Sequence, residues 1–487
     1  MYFHFISIFN IVLFFIAYFY EIDEFEIFVY FPFVLQIVLY IFSTKKKEQN
    51  EFSWASPSLI LIFCLCIVFL QIIINVQLGI GSLSYYLRTT GYEAYITPCL
   101  YLSLLCISSF MYGAYNYLDI FTNKGGGQNQ IIKTYSIKPW YYLALLSFIF
   151  FIVTIDINSF MSGLDYRGSG AYDRTKGTYA TFENFFNVFA LIYISLISYK
   201  IRVSPIGYCS FRHYFKEVGL LFWITMSIYI VLRALSGERG ALIMNLMMIA
   251  YSLIFCTKIK VKLIYVIVLL GVGAVLMTLM NYTRGLDLEQ TYEERFTESI
   301  NNQDDFNMES ISPYTQQLAW SAVCNFVAIK DIDTGKIKYQ YGIYSLYGLL
   351  SSIPGFSFIL NKYFNVNIRD LSVGEYLTMS YYDTQFYDHG LGATSLSGLY
   401  LDFGVIGCLI FFFIMGLLYK HIDKVIFRNK FFSIFILIFC LKLAAMVIIT
   451  SRSTFIYAID KGIYGLIIFI LGNFIFSRFN NSYKVRL

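Results

Sequence analysis

The sequence predicts an all-α integral membrane protein that crosses the bilayer many times. Of its 487 residues, 58% are hydrophobic and only 14% are charged, and the mean hydropathy is +0.62. In a typical soluble protein, about a quarter of all residues are charged. Apolar runs of about 17 residues or more, the length that crosses a bilayer core, recur along the chain. A polytopic membrane protein is therefore predicted, and the net charge of +5 does not indicate binding to nucleic acid.

Twelve candidate spans follow from these apolar runs. They cover residues 3–20, 27–43, 58–76, 96–118, 139–156, 181–199, 217–235, 241–257, 263–281, 396–419, 431–450 and 457–476. Nine spans thus fall in residues 1–281 and three in residues 396–487, separated by a long loop in residues 282–395. The first run has no basic leader and no small-residue cleavage site, so we expect a retained span rather than a removed signal peptide.

The loops between the spans alternate in charge. Every second connection is basic, as in "STKKKEQN" after the second span and "KHIDKVIFRNK" after the tenth, whereas "EIDEFE" after the first span is acidic. Basic residues remain on the cytoplasmic side of a membrane protein. Both termini are therefore predicted to be cytoplasmic, and the long loop is predicted to lie outside.

The long loop is itself partly apolar. It contains "LAWSAVCNFVAI" and "YSLYGLLSSIPGFSFIL", which are too short to span a bilayer. We expect short amphipathic or re-entrant helices there. A connection of this length is usually functional or disordered, and its aromatic and aliphatic content argues against disorder.

Arginine is concentrated where the topology does not require it. The predicted cytoplasmic loops hold 20 of the 36 basic residues, and 15 of these 20 are lysine. Of the remaining 16, nine are arginine. They are Arg88, Arg167, Arg174, Arg233, Arg239, Arg284, Arg295, Arg369 and Arg452. The planar guanidinium group donates hydrogen bonds in a fork that matches phosphate oxygens, which suggests an anionic ligand.

Three of these arginines lie at separate predicted outer junctions. Arg239 lies in "SGERG", Arg284 in "NYTRG" and Arg452 in "TSRST". They could converge on one anionic group near the level of the lipid headgroups. The alternative is that they contact lipid phosphates and only fix orientation. Glu238 either belongs to the site or pairs with Arg239 or Arg233.

Further candidates lie in the predicted outer loops. His389 is the only histidine predicted outside, and it follows Asp388, with Asp383 and Glu375 upstream. A histidine can accept a proton at neutral pH, and a neighbouring carboxylate can orient it. The alternative for "YDHG" is a solvated turn or helix cap. The loop "DYRGSGAYDRTKG", which contains Arg167 and Arg174, either contacts sugar or forms an exposed turn.

With these features the chain resembles the Wzy polymerases, which join oligosaccharide repeat units in bacterial O-antigen and capsule synthesis. The resemblance rests on about twelve spans, the late outer loop, "SGERG", the loop-borne His389 and "GLYLDFGVIG" at the start of the next span. It implies a glycosyltransferase of GT-C type in the bacterial inner membrane, with no cofactor and no metal. The donor and acceptor would both be oligosaccharides on undecaprenyl pyrophosphate, and a chain-length regulator protein is a further implied partner.

The resemblance also implies roles for the candidate residues. Arg239, Arg284 and Arg452 would hold the donor pyrophosphate, and His389 or, failing that, Glu375 would act as the base. The remaining candidates for contact with the pyrophosphate or glycan are Arg369, Arg167, Arg174, Arg88, Glu238 and Asp388.

Two other functions share parts of this pattern. An O-antigen ligase would transfer the glycan to lipid A-core, and the sequence does not separate it from a polymerase. A repeat-unit flippase or another transporter is expected to carry charges deep inside its spans and to have only short loops. The long outer loop argues against it, and a non-enzymatic scaffold would not explain the outer arginines.

Overall fold

The fold was examined in a computed structural model of the whole chain. The structure describes residues 2–20, 26–48, 52–80, 91–121, 135–155, 177–205, 207–236, 239–257, 259, 261–266, 268, 271, 273, 315–353, 356–364, 366, 371–383, 390–427 and 433–479. Within these ranges the regular elements are all helices.

Eighteen α-helices are numbered in chain order. They are α1 (Tyr2–Tyr20), α2 (Glu26–Glu48), α3 (Pro57–Gln77), α4 (Ile96–Phe121), α5 (Lys138–Thr154), α6 (Gly177–Val203), α7 (Phe211–Val218), α8 (Leu220–Leu235), α9 (Arg239–Cys256), α10 (Gln316–Ala319), α11 (Val323–Asp333), α12 (Ile343–Leu350), α13 (Phe356–Phe364), α14 (Val373–Tyr382), α15 (Ser395–Phe427), α16 (Ile434–Ala445), α17 (Val447–Ser451) and α18 (Phe455–Phe479).

The described helices confirm an all-helical polytopic membrane protein. Seven of them are long and apolar enough to cross a bilayer, namely α1, α2, α3, α4, α6, α15 and α18. The pair α7 and α8 would form an eighth span, and α5, α9 and α16 are shorter apolar helices. Eleven of the twelve predicted runs therefore coincide with described helices. Most of the run 263–281 lies outside the described residues, so the number twelve stays a prediction.

Two predicted spans differ in detail from the helices. The run predicted at 217–235 is not straight, because the chain bends by 88° between α7 and α8. Gly219 lies at this bend with φ +88°, a conformation that glycine adopts readily. The run predicted at 431–450 is divided at Met446 into α16 and α17.

The centre of the bundle is a close contact between α4 and α15. A Cβ atom at Gly113 would lie 2.1 Å from the carbonyl oxygen of Phe413, and one at Gly416 would lie 2.1 Å from that of Phe110. Only glycine permits two backbones to approach this closely, as small residues do between membrane helices. These contacts fix α15 against the N-terminal half of the chain.

The helix α15 is broken near its N-terminal end. At Gly404 the backbone leaves the helical conformation, with φ +65° and ψ −160°. The carbonyl groups of Leu401 and Asp402 accept hydrogen bonds from the backbone of Gln340 and Tyr341, each at 2.9 Å. A segment of the long loop is therefore hydrogen-bonded to the backbone of a predicted span.

The side chain of Asp402 strengthens this attachment. Its carboxylate oxygens accept hydrogen bonds from the backbone N–H groups of Tyr344 at 3.2 Å and Ser345 at 2.8 Å. These donors belong to the first turn of α12, where N–H groups have no partner within the helix. Asp402 therefore caps α12 and holds it against α15.

The helices α12 and α13 carry exposed apolar side chains. Leu346 is 58% exposed and Phe358 is 64% exposed. A Cβ atom at Gly348 would lie 2.9 Å from the side chain of Ile456 in the first turn of α18. Helix α12 thus lies beside the ends of two predicted spans, α15 and α18, and the exposed apolar side chains of α12 and α13 are suited to contact with lipid.

Candidate functional site

The candidate site lies where the long loop meets the predicted outer ends of α15 and α18. The thiol of Cys324 in α11 lies 3.5 Å from the carbonyl oxygen of Gly392, just before α15. At Gly398 in α15, a Cβ atom would lie 3.0 Å from Thr454 and 4.0 Å from Val373. Four separate parts of the chain therefore converge here: α11, the start of α14, the start of α15 and the connection between α17 and α18.

Hydrogen bonds shape the polar wall of this site. The side chain of Thr394 accepts from the backbone N–H of Ser397 at 3.0 Å, and the Ser397 hydroxyl accepts from the N–H of Thr394 at 2.9 Å. This reciprocal pair caps the start of α15, as in other helix caps. The Thr394 hydroxyl also donates to the side-chain oxygen of Asn325. The start of α15 is thereby tied to α11.

Some polar atoms near this wall are buried without a hydrogen-bond partner. Among the described residues, they include the amide nitrogen of Asn325 and the hydroxyl groups of Ser395 and Ser453. Most buried polar groups in proteins are paired, so each exception requires an explanation. Amide and hydroxyl groups suit the hydroxyl groups of a sugar, which both donate and accept hydrogen bonds.

Arg452 is an exposed residue in the connection between α17 and α18. Its backbone N–H donates to the carbonyl oxygen of Ile449 at 3.0 Å, which closes the last turn of α17. Burial raises the pKa of the Cys324 thiol to about 12, and the positive charge of Arg452 opposes this shift. Arg452 therefore lies within electrostatic reach of α11, and Cys324 stays protonated as apolar filling.

Glu375 lies in the first turn of α14. The Ser372 hydroxyl accepts a hydrogen bond from the backbone N–H of Glu375 at 3.5 Å, and Glu375 is partly buried. Serine followed three residues later by glutamate is a capping-box sequence, so the carboxylate has a structural explanation beside the catalytic one. Val373, two residues earlier, contacts the site through Gly398.

The structure describes only some of the predicted site residues. Arg452 and Glu375 are described, and α9 begins at Arg239, whose side chain is outside the described part. The other candidates lie outside the described residues, namely His389, Asp388, Arg284, Arg369, Arg167, Arg174, Arg88 and Glu238. Asp383 is described, and it is an exposed residue at the end of α14 with φ +51°. The convergence of the three arginines stays a prediction.

The arginine that precedes "SGERG" has a different role. Arg233 in α8 is 5% exposed and forms an ion pair with Glu183 in α6, which is 8% exposed. The hydroxyl of Tyr229 donates to Glu183 at 2.6 Å and accepts from Asn187 at 3.1 Å. Arg233 is thus part of a buried polar network, in which its guanidinium group contacts the carboxylate of Glu183 from another helix.

Breaking this ion pair should strongly destabilise the protein. We expect Glu183→Gln to lower the free energy of unfolding by about 3–5 kcal/mol, because it leaves the Arg233 charge buried without a carboxylate. The double variant Glu183→Gln/Arg233→Met should lose less than the sum of the single changes. Thermal unfolding in detergent micelles would measure these differences.

A matched control removes an exposed ion pair. Lys200 lies 2.8 Å from Glu217, and their side chains are 58% and 27% exposed. Lys200→Gln should cost no more than about 1 kcal/mol. Equal effects of Lys200→Gln and Glu183→Gln would show that the buried pair has no special contribution.

Several charged residues inside spans were missed by the sequence analysis, namely Glu183, Asp402, Lys442 and Asp460. Like Arg233, which the sequence analysis named, they lie in apolar helices and are buried. A charged residue within an apolar run is a signal that the sequence offers directly. Charges inside spans therefore do not separate a flippase from a polymerase in this chain, and the argument against a flippase rests on the long loop.

Within the described residues, no group of three His, Cys, Asp or Glu side chains could hold a metal ion. The fold and the site define a multi-pass helical membrane protein with a polar site at the junction of a long loop and two spans. A family model described as O-antigen polysaccharide polymerase Wzy matches residues 2–484, nearly the whole chain. The chain therefore belongs to this family, whose members are inner-membrane proteins that act on lipid-linked oligosaccharide repeat units. No curated protein and no solved structure matches it.

Proposed function

We propose that the protein joins oligosaccharide repeat units, carried on polyprenyl pyrophosphate, into O-antigen or capsular polysaccharide at the outer face of the cytoplasmic membrane. Membership of the polymerase family supports the class of reaction. The observation that supports the site is Arg452, an exposed cation beside the buried and unpaired polar groups of Asn325, Ser395 and Ser453. This combination suits a ligand with an anionic end and a sugar end.

In the proposed reaction, an acceptor hydroxyl attacks the sugar carbon that is bonded to the donor pyrophosphate. The new glycosidic bond forms while the bond from carbon to the pyrophosphate oxygen breaks. The electron pair of that bond goes to the pyrophosphate, which leaves on its lipid. Arg452, with Arg239 and Arg284 as further candidates, would stabilise the negative charge that develops on this oxygen.

The proton of the acceptor hydroxyl must be accepted by a base. His389 is the first candidate because its unperturbed pKa lies near 7, and Glu375 is the second. The long loop would align the two glycans, and its attachment through Asp402 gives it a fixed position beside α15. Both termini would lie in the cytoplasm, and a chain-length regulator is a proposed partner.

Reconstitution would test the reaction class. Purified protein in vesicles should convert lipid-linked repeat units into a ladder of longer lipid-linked chains without any nucleotide sugar. A ligase would instead consume the donor only when lipid A-core is present. Movement of repeat units between leaflets, without any new glycosidic bond, would indicate a flippase and contradict the proposal.

A deletion strain provides a second test. Loss of a polymerase should leave single repeat units attached to the final acceptor. Loss of a ligase should leave no attached repeats, while polymer persists on the carrier lipid. The latter pattern would assign the protein to ligation.

A further inference from the structure

A second group of charged side chains lies inside the bundle, away from the candidate site. It consists of Lys442 in α16 with Asp460 and Lys461 in α18, and these three residues are called the inner charge cluster. Asp460 and Lys461 both act electrostatically on Lys442. Charged groups at membrane depth are costly, and they mark functional sites more often than charges in soluble proteins do.

Lys442 is poorly paired for a buried cation. It is 7% exposed, and its Nζ atom lies 2.9 Å from the thioether sulfur of Met244 in α9. In the described part of the chain, this sulfur accepts a hydrogen bond from the ammonium group of Lys442. A thioether is a weak acceptor, whereas an ammonium group has three strong donors. Lys442 therefore has donors available for an oxygen-rich anion.

Asp460 is the acidic member of the cluster, and among the described residues only one of its two carboxylate oxygens is paired. Asp460 is 3% exposed, and one of its carboxylate oxygens lies 3.2 Å from Nζ of Lys461. Its second oxygen, Oδ1, is buried without a hydrogen-bond partner in the described part of the chain. The side chain of Lys461 is 42% exposed. The cluster combines two basic side chains with one acidic side chain, and Lys461 is reachable from outside the bundle.

The inner charge cluster is separated from Arg452 by several helical residues on either side of the connection between α17 and α18. Lys442 precedes Arg452 by ten residues along α16 and α17, which corresponds to about 15 Å of helix. Asp460 follows the start of α18 at Phe455 by five residues, or about 7.5 Å. The cluster therefore lies on the helices that lead to and from the connection containing Arg452, within the apolar length of α16 and α18.

The proposed reaction requires two separate pyrophosphate groups. The donor reacts at the sugar that is bonded directly to its pyrophosphate, so that pyrophosphate must lie beside the reacting atoms. The acceptor reacts at a sugar hydroxyl and keeps its own pyrophosphate on the lipid. The two pyrophosphates are therefore separated by the acceptor glycan, and one cation site cannot hold both.

We propose that Lys442 and Lys461 bind the phosphate groups of a prenyl-linked substrate that enters from the bilayer, and that this is the acceptor. Lys461 would make the first contact at the exposed edge, and Lys442 would supply the buried contact. The unpaired oxygen of Asp460 would accept a hydrogen bond from a hydroxyl of the first sugar. This inference rests on the proposed function, because only a lipid-linked acceptor brings a second pyrophosphate.

Binding of farnesyl pyrophosphate to the purified full-length protein in detergent tests this assignment. Lys442→Met should weaken binding at least about tenfold, because a charge-assisted contact is lost while an unbranched side chain only one atom shorter fills the same space. Lys461→Gln should weaken it less, since this lysine is partly solvated. Asp460→Asn should tighten binding, because it raises the net charge of the cluster. Lys338→Gln, at an exposed lysine in the long loop, is the matched control and should change nothing.

Asp460→Asn and Lys442→Met are expected to change the binding affinity in opposite directions. This difference separates an effect on binding from an effect on folding. A purely structural role would lower the yield of folded protein in the Lys442 and Asp460 variants without changing the affinity of the folded fraction, and would overturn the proposal. Farnesol should not compete for the site. Equal competition by dioleoylphosphatidylglycerol would assign the cluster to a lipid headgroup and overturn the assignment to substrate.

The outcome is distinguishable from a failure of the proposed function. If wild-type protein polymerises repeat units while Lys442→Met binds farnesyl pyrophosphate normally, only the acceptor site is wrong. If wild-type protein forms no polymer but binds farnesyl pyrophosphate through Lys442, a prenyl phosphate site remains and the polymerase reaction is wrong.

Discussion

Polymerisation by an Arg452→Lys variant should be about 10²–10³-fold slower than that by the wild-type protein. Arg452 lies at the exposed connection between α17 and α18, beside the start of α15. A lysine keeps the charge but cannot form two parallel hydrogen bonds with a phosphate group. The rate would be measured from the length distribution of chains made by reconstituted protein from lipid-linked repeat units.

The control for this prediction is Lys338→Gln, which removes a positive charge from the exposed surface of the long loop. It should leave the rate unchanged. An Arg452→Lys protein with the wild-type rate would mean that charge alone suffices. If Arg452→Gln also retained the rate, the contact of Arg452 with pyrophosphate would be wrong.

Replacement of His389 by alanine should lower the rate of polymerisation about 10²–10⁴-fold, the usual cost of losing a general base. Long chains would then disappear from the product ladder while the amount of membrane protein stays the same. Arg239→Lys should also impair polymerisation if its guanidinium group contacts the donor pyrophosphate.

Glu375→Gln separates catalysis from helix capping at the second candidate base. Glutamine can replace glutamate in a capping box, so α14 should keep its start while the basic carboxylate is lost. If His389→Ala is nearly fully active and Glu375→Gln is inactive, the carboxylate is the base. If both variants are active, neither residue accepts the proton.

The sequence predicts the class of fold well because the physical signal is strong and local. An apolar run long enough to cross a bilayer must form a helix, since unpaired backbone groups are not tolerated in lipid. The bend at Gly219 and the break at Gly404 are different, because each depends on how neighbouring parts pack. The carbonyl groups freed at Gly404 are stabilised by Gln340 and Tyr341, more than fifty residues away in the chain.

The residue types of the candidate site could be proposed from the sequence, but their contacts could not. Arg452 and Glu375 were proposed because their residue types and predicted location match the chemistry of phosphate and proton transfer, and their roles stay predictions. The partner of Arg233 was not found, because Glu183 is fifty residues away and the pairing of two helices leaves no local pattern. Lys442 and Lys461 were not predicted, because the arginines at the predicted outer junctions give no indication of lysines buried within apolar helices.

The attachment of α12 to α15 also constrains the order in which the chain can mature. The ribosome makes residues 340–345 before Asp402 and the rest of α15, so this loop segment is synthesised before the groups that anchor it exist. Until α15 inserts, the first turn of α12 lacks its cap and its apolar surface lacks a neighbour. A chain that stops before α15 therefore leaves residues 340–345 without the hydrogen-bond partners that hold them in the full chain.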